Sequence, residues 1–187
     1  MSEAEATHAA ALAAVREAVR ADGGVLATVA AEDDSVAPAD GALGALAAGG
    51  PRAQAHAADI AFVVEAIREG WLLHYGEPRV LADAEPDLRL LAGDRLYALG
   101  LARLAVLGDL AAVVELADVI ALSAQAQIQD DAALSDAVWE AGAVAVGWGT
   151  NDAHRAAKDA ARAGRSGAAT ALRAAARQMR REVAPPR

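Results

Sequence analysis

The chain has 187 residues and a net charge of −9, and 55 of its residues are alanine while none is cysteine. Alanine favours helices and disfavours strands, so the composition indicates an all-α protein. The lack of cysteine excludes a disulfide scaffold, a cysteine-ligated zinc site and a catalytic thiol.

The N-terminal helix is predicted over residues 3–21, because Ser2 and Glu5 form a capping box in front of an alanine-rich run. The next stretch, residues 24–50, is rich in glycine and contains Pro38. Glycine weakens long helices, so we expect only one or two short helices there.

Proline, glycine and aspartate mark the bounds of the later helices. Pro51 suits the first turn of a helix, which we predict over residues 51–75 and which Gly76 ends. Asp109 is placed to cap another helix. The later predicted helices cover residues 86–107, 110–128, 132–147, 152–163 and 167–183. Together they predict a single all-α domain over residues 1–187, a bundle of about six to eight helices.

Charge is distributed unevenly along the chain. Residues 153–187 hold nine basic and two acidic residues, a net charge of +7, whereas residues 1–152 carry −16. We interpret the basic segment, residues 153–187, as a C-terminal helical part of the same domain. It could contact phosphates, an anionic surface or the acidic body itself. The acidic body is a poor surface for nucleic acid, so we predict no nucleic-acid partner.

No segment has the pattern of a membrane span or a signal peptide. The most apolar stretch, residues 96–122, contains Arg103, Glu115 and two aspartates, which are too many charges for a lipid-facing helix. Residues 1–3 lack the basic start and the apolar run of a signal peptide. We therefore expect a cytoplasmic protein without a membrane span.

The common catalytic and metal-binding motifs are missing from the sequence. The serines lie in no nucleophile-elbow motif, there is no phosphate-binding glycine loop, and the histidines lack the spacing of a metal pair. We therefore predict no metal and no cofactor, and the motifs identify no catalytic residue. Glu65 and Glu69, four residues apart beside Arg68, are typical of a solvated helix face.

Asp94 stands out because it lies in an apolar helix, within the sequence of residues 90–97. A buried aspartate needs a hydrogen-bond or charge partner, because desolvating it alone is costly. Arg95 or a neighbouring helix would supply that partner, or Asp94 would face a polar cavity.

The motif Leu-Ala-Gly-Asp-Arg-Leu-Tyr-Ala at residues 91–98 is accompanied by three others. These are Gly49–Gln54, the helix Glu65–His74, which ends in Leu-Leu-His, and Gly76–Pro78. The motif at residues 91–98 resembles the L-A-G-D-Y-L-x-A motif of the trans-polyprenyl diphosphate synthases. Gly49–Gln54 resembles the G-G-K-R-x-R motif of that family, the end of the helix Glu65–His74 resembles its L-x-H motif, and Gly76–Pro78 resembles its G-x-P motif. The resemblance covers about residues 49–130 and implies the all-α isoprenoid-synthase fold.

The departures from this family concern its metal site. The family's first D-D-x-x-D motif should follow His74, where this chain has Tyr75–Pro78, and no second motif is present. Asp33–Asp34 and Asp130–Asp131 lack the third aspartate, and Pro51 replaces the lysine of G-G-K-R. In the family these carboxylates hold Mg²⁺ against an allylic diphosphate.

The resemblance therefore implies a truncated, non-catalytic relative. Heteromeric polyprenyl synthases contain a small subunit of this kind, which pairs with a catalytic subunit and completes the hydrophobic channel that sets product length. The expected partner is then a catalytic prenyl synthase subunit, or a second copy of this chain in a homo-oligomer. The expected ligand is an isoprenoid.

The candidate ligand-binding residues are Arg52, His74, Tyr75, Arg79 and Asp94. An unusual prenyl diphosphate-processing enzyme would use most of this group together with Asp83, and Arg79 or Arg52 would hold a phosphate. A long apolar channel capped by His74, Arg79 and Asp94 would support the isoprenoid ligand. A filled core would favour a helical interaction or lipid-binding module without catalysis.

Trp139 and Trp148 lie in a segment of otherwise small residues. Tryptophan buries a large apolar area and often anchors helix contacts or interfaces. The two side chains are therefore candidates for core packing or for an oligomer interface.

Overall fold

The computed structural model describes residues 1–23, 27, 42–81 and 84–182. This part of the chain is helical and contains no strand, so the all-α prediction is confirmed. Its helices in chain order are α1 (Glu3–Asp22), α2 (Leu43–Ala48), α3 (Ala57–Tyr75), α4 (Pro86–Leu107), α5 (Leu110–Ile128), α6 (Ala132–Trp148), α7 (Asp152–Arg162) and α8 (Ala168–Glu182).

Contacts divide the chain into two compact units. Unit 1 comprises residues 1–45 and 58–108, and unit 2 comprises residues 46–57 and 109–187. Each unit has buried apolar residues of its own. The arrangement of the chain as a single domain stays a prediction.

Unit 1 is built around α1, α3 and α4, which contribute large apolar side chains to one cluster. The buried members are Leu12, Val15, Val19, Ala66, Leu73, Val80, Leu81, Ala92 and Leu96. The α1 residues of this cluster recur at helical spacing, which is why one side of α1 is buried and the other carries charged residues.

The predicted helix ends are confirmed where they depend on local signals. Ser2 and Glu5 form the capping box of α1. Gly108 ends α4 with φ 69°, a left-handed conformation that glycine adopts without strain. The Asp109 side chain accepts a hydrogen bond from the Ala112 backbone N–H and caps α5.

The predicted start of the third helix at Pro51 is wrong, because α3 begins at Ala57 after a turn and a short 3₁₀ helix. The Arg52 backbone N–H donates to the Gly147 carbonyl at 3.0 Å instead of entering a helical ladder. Gly50 packs directly on Gly147, where a Cβ atom would lie 2.2 Å from the Gly147 backbone. A contact with a distant segment therefore overrides the proline signal.

Unit 2 is organised around α6, which is buried on nearly all sides and contacts α5, α7 and α8. Trp139 is 2% exposed and is the largest side chain of this core. Leu172 and Met179 bury the apolar side of α8. The alanine-rich composition supports this packing, because small side chains let helices approach closely.

The α5 helix has the length and apolar composition of a membrane-crossing helix, and 39% of its most apolar window is buried in the protein. It also carries Glu115 and Asp118, which form ion pairs with α7 in unit 2. The absence of a membrane span stays a prediction.

Some predicted features lie outside the described residues. They are Asp33–Asp34, Pro38, Asp83 and the C-terminal residues 183–187. The short helix α2 agrees with the expectation of short helices within residues 24–50.

Candidate functional site

His74 and Asp94 meet where the last turn of α3 passes α4 in unit 1. His74 Nε2 lies 3.3 Å from Asp94 Oδ1. A Cβ atom on Gly93 would lie 2.6 Å from His74 Nε2, so a glycine at position 93 allows the imidazole to occupy this place. Asp94 thus lies next to a neighbouring helix, but His74 Nε2 makes no hydrogen bond within the described residues.

The prediction that Asp94 is buried is wrong, since 73% of its side chain is exposed. The leucines that made its surroundings look apolar, Leu90 and Leu91, are themselves 48% and 58% exposed. Asp94 therefore lies on the outer side of α4.

Aromatic side chains surround His74. Its ring stacks on Tyr97 with centroids 5.6 Å apart, and Tyr75 lies 5.8 Å from it. Trp71 contacts Tyr75, and the Arg68 guanidinium lies 4.7 Å from the centre of the Trp71 ring. Burial, together with Tyr75 and Asp94, raises the pKa of Tyr97, so its phenol stays protonated. His74 is thus packed among aromatic side chains, and 17% of its side chain is exposed.

Arg79 turns into unit 1 and contacts two glutamates of α3. Its Nη2 lies 2.9 Å from Glu65 Oε2, and its Nε donates to Glu69 Oε2 at 2.9 Å. Glu69 Oε1 also accepts hydrogen bonds from the backbone N–H groups of Arg79 and Val80. Arg79 is therefore engaged inside the protein, whereas a phosphate ligand would need a free guanidinium.

Glu65 joins two further parts of unit 1 to this ion pair. Its Oε1 accepts hydrogen bonds from His8 Nδ1 at 3.0 Å and from the Gly44 backbone N–H at 2.8 Å. Burial raises the pKa of Glu65, but the His8 hydrogen bond, the Arg79 charge and the Gly44 hydrogen bond outweigh it, so the pKa lies below its ordinary value. Glu65 is therefore a buried carboxylate.

The interpretation of Glu65 and Glu69 as a solvated helix face is wrong, because both side chains are 0% exposed. Their partners His8 and Arg79 lie 57 and 10 residues away in sequence, respectively, so helical spacing alone does not reveal them. One signal was available: apolar residues occupy every side of α3, which indicates a helix buried all round.

Within the described residues, no group of three or more His, Asp or Glu side chains is arranged to hold a metal ion. In unit 1 the buried carboxylates are occupied by Arg79, by backbone N–H groups and by His8. The prediction that the chain holds no metal stays a prediction, since it extends to the whole chain.

A cavity of about 480 Å³ lies beside the loop that precedes α4. Its lining includes Glu77, Pro78, Glu85 and Arg89, and Arg89 donates a hydrogen bond to the Gly76 carbonyl. None of the five predicted ligand residues lines this cavity. The charged lining is also unlike an apolar isoprenoid channel.

Arg52, the fifth predicted ligand residue, belongs to unit 2 and binds the end of a helix. Its Nη1 donates to the Val146 carbonyl at 3.0 Å, and its Nη2 donates to Asp109 Oδ1 at 3.2 Å. The arginine thereby caps the last carbonyls of α6 and joins them to the cap of α5. Like Arg79, it is engaged within the protein.

The basic segment forms ion pairs with acidic residues of α5. Glu115 accepts from His154 Nε2 at 2.7 Å and from Lys158 Nζ at 2.6 Å. Lys158 also contacts Asp118 at 2.8 Å, and Arg162 contacts the other Asp118 oxygen at 2.6 Å. Burial raises the pKa of Asp118, but hydrogen bonds from Arg162 and Lys158 hold it below its ordinary value. The basic segment thus contacts acidic residues of the chain itself through Lys158 and Arg162, which was one of its three expected partners.

The two tryptophans of α6 differ in exposure. Trp139 is buried in the core of unit 2. Trp148 is half-buried, and the Arg180 guanidinium lies 5.5 Å from the centre of its ring. Core packing thus accounts for Trp139, and Arg180 covers part of Trp148.

The outer side of α4 presents apolar side chains. Leu90, Leu91 and Leu101 are 48%, 58% and 44% exposed, and Ala98 is also exposed. Together with Asp94 they recur every three or four residues, so they lie on one side of the helix, here named the α4 face. Exposed leucines gathered in this way are typical of a surface that another molecule covers.

Comparison of the chain with protein-family models, curated proteins and solved structures found no match. The resemblance to the polyprenyl diphosphate synthases therefore depends on the sequence motifs alone. Three residues of the strongest motif, Leu91, Asp94 and Ala98, belong to the α4 face.

Proposed function

We propose that this chain acts by binding another protein through the α4 face and has no catalytic activity of its own. The observation that carries the proposal is the exposure of Leu90, Leu91 and Leu101 on one side of α4. Covering a leucine of this kind contributes about 1.5–3 kcal/mol relative to leaving it fully exposed, so a partner helix would gain affinity from each.

The state of the predicted ligand residues supports binding over catalysis. Arg79 is paired with Glu65 and Glu69, and Arg52 is bound to helix carbonyls and Asp109. A diphosphate needs free cations or a metal ion, and neither guanidinium is free. His74 is likewise engaged, because its ring stacks on Tyr97.

The resemblance indicates which partner to examine first. A non-catalytic relative of the polyprenyl diphosphate synthases is expected to pair with a catalytic subunit that has both aspartate-rich motifs. Leu91 and Ala98 belong to the resembling motif as well as to the α4 face. We therefore propose a catalytic polyprenyl diphosphate synthase as the partner, and we place the isoprenoid ligand in that subunit's channel.

Co-expression with a catalytic polyprenyl diphosphate synthase from the same genome tests the proposal. The wild-type chain should co-purify with the synthase and change the chain length of its product. The double variant Leu91→Gln/Leu101→Gln should do neither, because it loses the apolar contact while leaving the unit 1 core intact. The matched control is Ile128→Gln in unit 2, where the side chain is 87% exposed.

Two outcomes would overturn the proposal. The first is a wild-type chain that purifies alone and leaves product length unchanged. The second is turnover of an allylic diphosphate by the pure chain with Mg²⁺, which would make the protein an enzyme in its own right.

A further inference from the structure

We infer that Asp94 makes the α4 face selective, so that it excludes a second copy of this chain and accepts a partner helix with an arginine or lysine opposite Asp94. The inference rests on the proposed function, because it takes the α4 face to be a protein-binding surface. It adds the kind of partner that the face fits.

Asp94 lies on the α4 face near the midpoint between Leu90 and Leu101, and the exposed Asp87 lies on the same side of the helix near its start. Its side chain is 73% exposed, and His74 Nε2 approaches one of its oxygens at 3.3 Å. With 73% of its side chain exposed, the Asp94 carboxylate is accessible to a partner.

The imidazole that lies beside Asp94 is packed against its neighbours. It stacks on Tyr97 with an interplanar angle of 6°, and the missing Cβ of Gly93 makes room for it. Asp94 therefore presents its charge beside a packed ring, within the apolar side of α4. A charged position within an apolar face favours one arrangement of the partner over others.

Two copies joined through the α4 face would bring like charges together. Paired helices lie about 8–10 Å apart, and the face from Leu90 to Leu101 spans about 17 Å at 1.5 Å per residue. Because Asp94 is near its midpoint, parallel and antiparallel pairing both place the two Asp94 carboxylates close to each other. The helix separation of about 8–10 Å is comparable to the screening length of about 8 Å in physiological salt, so the two carboxylates would repel each other. The apolar contact would also remove both charges from water, which costs further free energy.

The charge of unit 1 as a whole acts in the same direction. Residues 1–45 and 58–108 contain 16 acidic and seven basic residues, a net charge of −9. A second unit 1 approaching the α4 face would be repelled, whereas a basic partner would be attracted. Charge complementarity therefore selects an amphipathic partner helix that presents leucine or alanine around one arginine or lysine.

A charge-swap experiment on the full chain tests this inference without knowledge of the natural partner. The probe is the variant Asp94→Lys, which presents the same apolar face with a central cation. Sedimentation equilibrium at about 0.15 M salt, which screens the net charge of unit 1 more than a charge pair buried in the contact, should find monomers for the wild type alone and for the variant alone. An equimolar mixture should approach twice the monomer mass, because Asp94 of one chain meets the lysine of the other.

Matched variants locate the contact. Leu101→Gln in both chains should return the mixture to monomers, and Glu17→Lys on α1, in place of Asp94→Lys, should give no dimer with the wild type. Asp94→Leu, which removes the charge, should associate with itself, and it serves as a second test where the lysine variant fails to fold.

Three results would overturn the inference. One is a wild-type dimer that Leu101→Gln dissociates, since a second copy would then cover the face. Another is a monomeric mixture together with a monomeric Asp94→Leu variant. The third is binding of the wild type to anionic lipid vesicles that Leu91→Gln abolishes, which would assign the face to a membrane. Failure to bind a polyprenyl synthase would contradict the proposed partner but would leave these results unchanged.

Discussion

Arg79 Nη2 lies 2.9 Å from Glu65 Oε2, and this contact joins a loop to the centre of α3. The Glu65 side chain is 0% exposed and that of Arg79 is 11% exposed, so the two charges are largely removed from water. His8 and Gly44 complete the coordination of Glu65. A residue that resembled a phosphate ligand in sequence thus stabilises the interior of unit 1.

Replacing Glu65 by glutamine should strongly destabilise unit 1. The change leaves the buried Arg79 charge with one carboxylate fewer, and losing one partner of a buried ion pair costs about 3–5 kcal/mol. Urea unfolding followed by circular dichroism measures the effect. Glu17→Gln, at a carboxylate that is 74% exposed, should change stability by less than about 0.5 kcal/mol. Equal stabilities of the two variants would contradict the role of Glu65.

Stability should fall in acid because of Glu65 and Asp118. The pKa of each lies below its ordinary value, 4.5 for Glu65 and 3.8 for Asp118. As the pH falls below these ordinary values, the unfolded chain takes up protons before the folded chain does, so folding is weakened. The contribution is complete above about pH 5 and is lost as the pH falls through the lowered pKa values.

Thermal unfolding between pH 7 and pH 3 measures this dependence. The wild type should lose stability below about pH 5, and Asp118→Asn should lose less because it has one fewer titrating carboxylate. A melting temperature that rises between pH 5 and pH 3 would contradict the lowered pKa values.

Lys158, the single lysine of the chain, should resist acylation in the folded protein. Its side chain is 9% exposed, and its Nζ is held by Glu115 and Asp118. An amine-reactive ester at neutral pH should therefore modify only the α-amino group of Met1, which is 99% exposed. Peptide mass spectrometry identifies the modified sites, and urea should make Lys158 reactive. Rapid acylation of Lys158 without urea would contradict the buried ion pair.

Replacing Gly147 by alanine should destabilise unit 2. A Cβ atom there would lie 2.2 Å from the Ala47 carbonyl oxygen, which is a backbone atom and cannot turn away. Overpacking of this kind costs about 1–3 kcal/mol, measured by urea unfolding. The control is Gly76→Ala, where the new atom would meet the mobile end of Leu72 at 2.9 Å. A Gly147→Ala variant as stable as the wild type would contradict the close contact between Gly147 and the Ala47 backbone.

Local signals predicted much of the fold. The capping box at Ser2 and the stop at Gly108 act on residues within one helical turn, so the sequence pattern contains all the information needed. The start at Pro51 depends on Gly147, which lies far along the chain, and it was predicted wrongly. Helix bounds are therefore predictable where the cap is local and unpredictable where a distant segment sets them.

The site was harder to predict for a related reason. Glu65 and Glu69 have the spacing of exposed carboxylates, and only the folded chain brings Arg79 and His8 to them. Asp94 was expected to be buried because leucines surround it in sequence, yet those leucines are exposed. A pattern of apolar residues does not distinguish a side that faces the core from a side that is exposed.

The most direct test is a binding titration between this chain and a catalytic polyprenyl diphosphate synthase. A dye at the N-terminal amine reports binding, because Lys158 is protected. The wild-type chain should bind saturably, and Leu91→Gln/Leu101→Gln should bind at least about tenfold more weakly, since each half-exposed leucine would contribute about half of the roughly 1.5–3 kcal/mol of a fully exposed one. No binding by the wild type, or equal affinity of both proteins, would contradict partner binding through the α4 face.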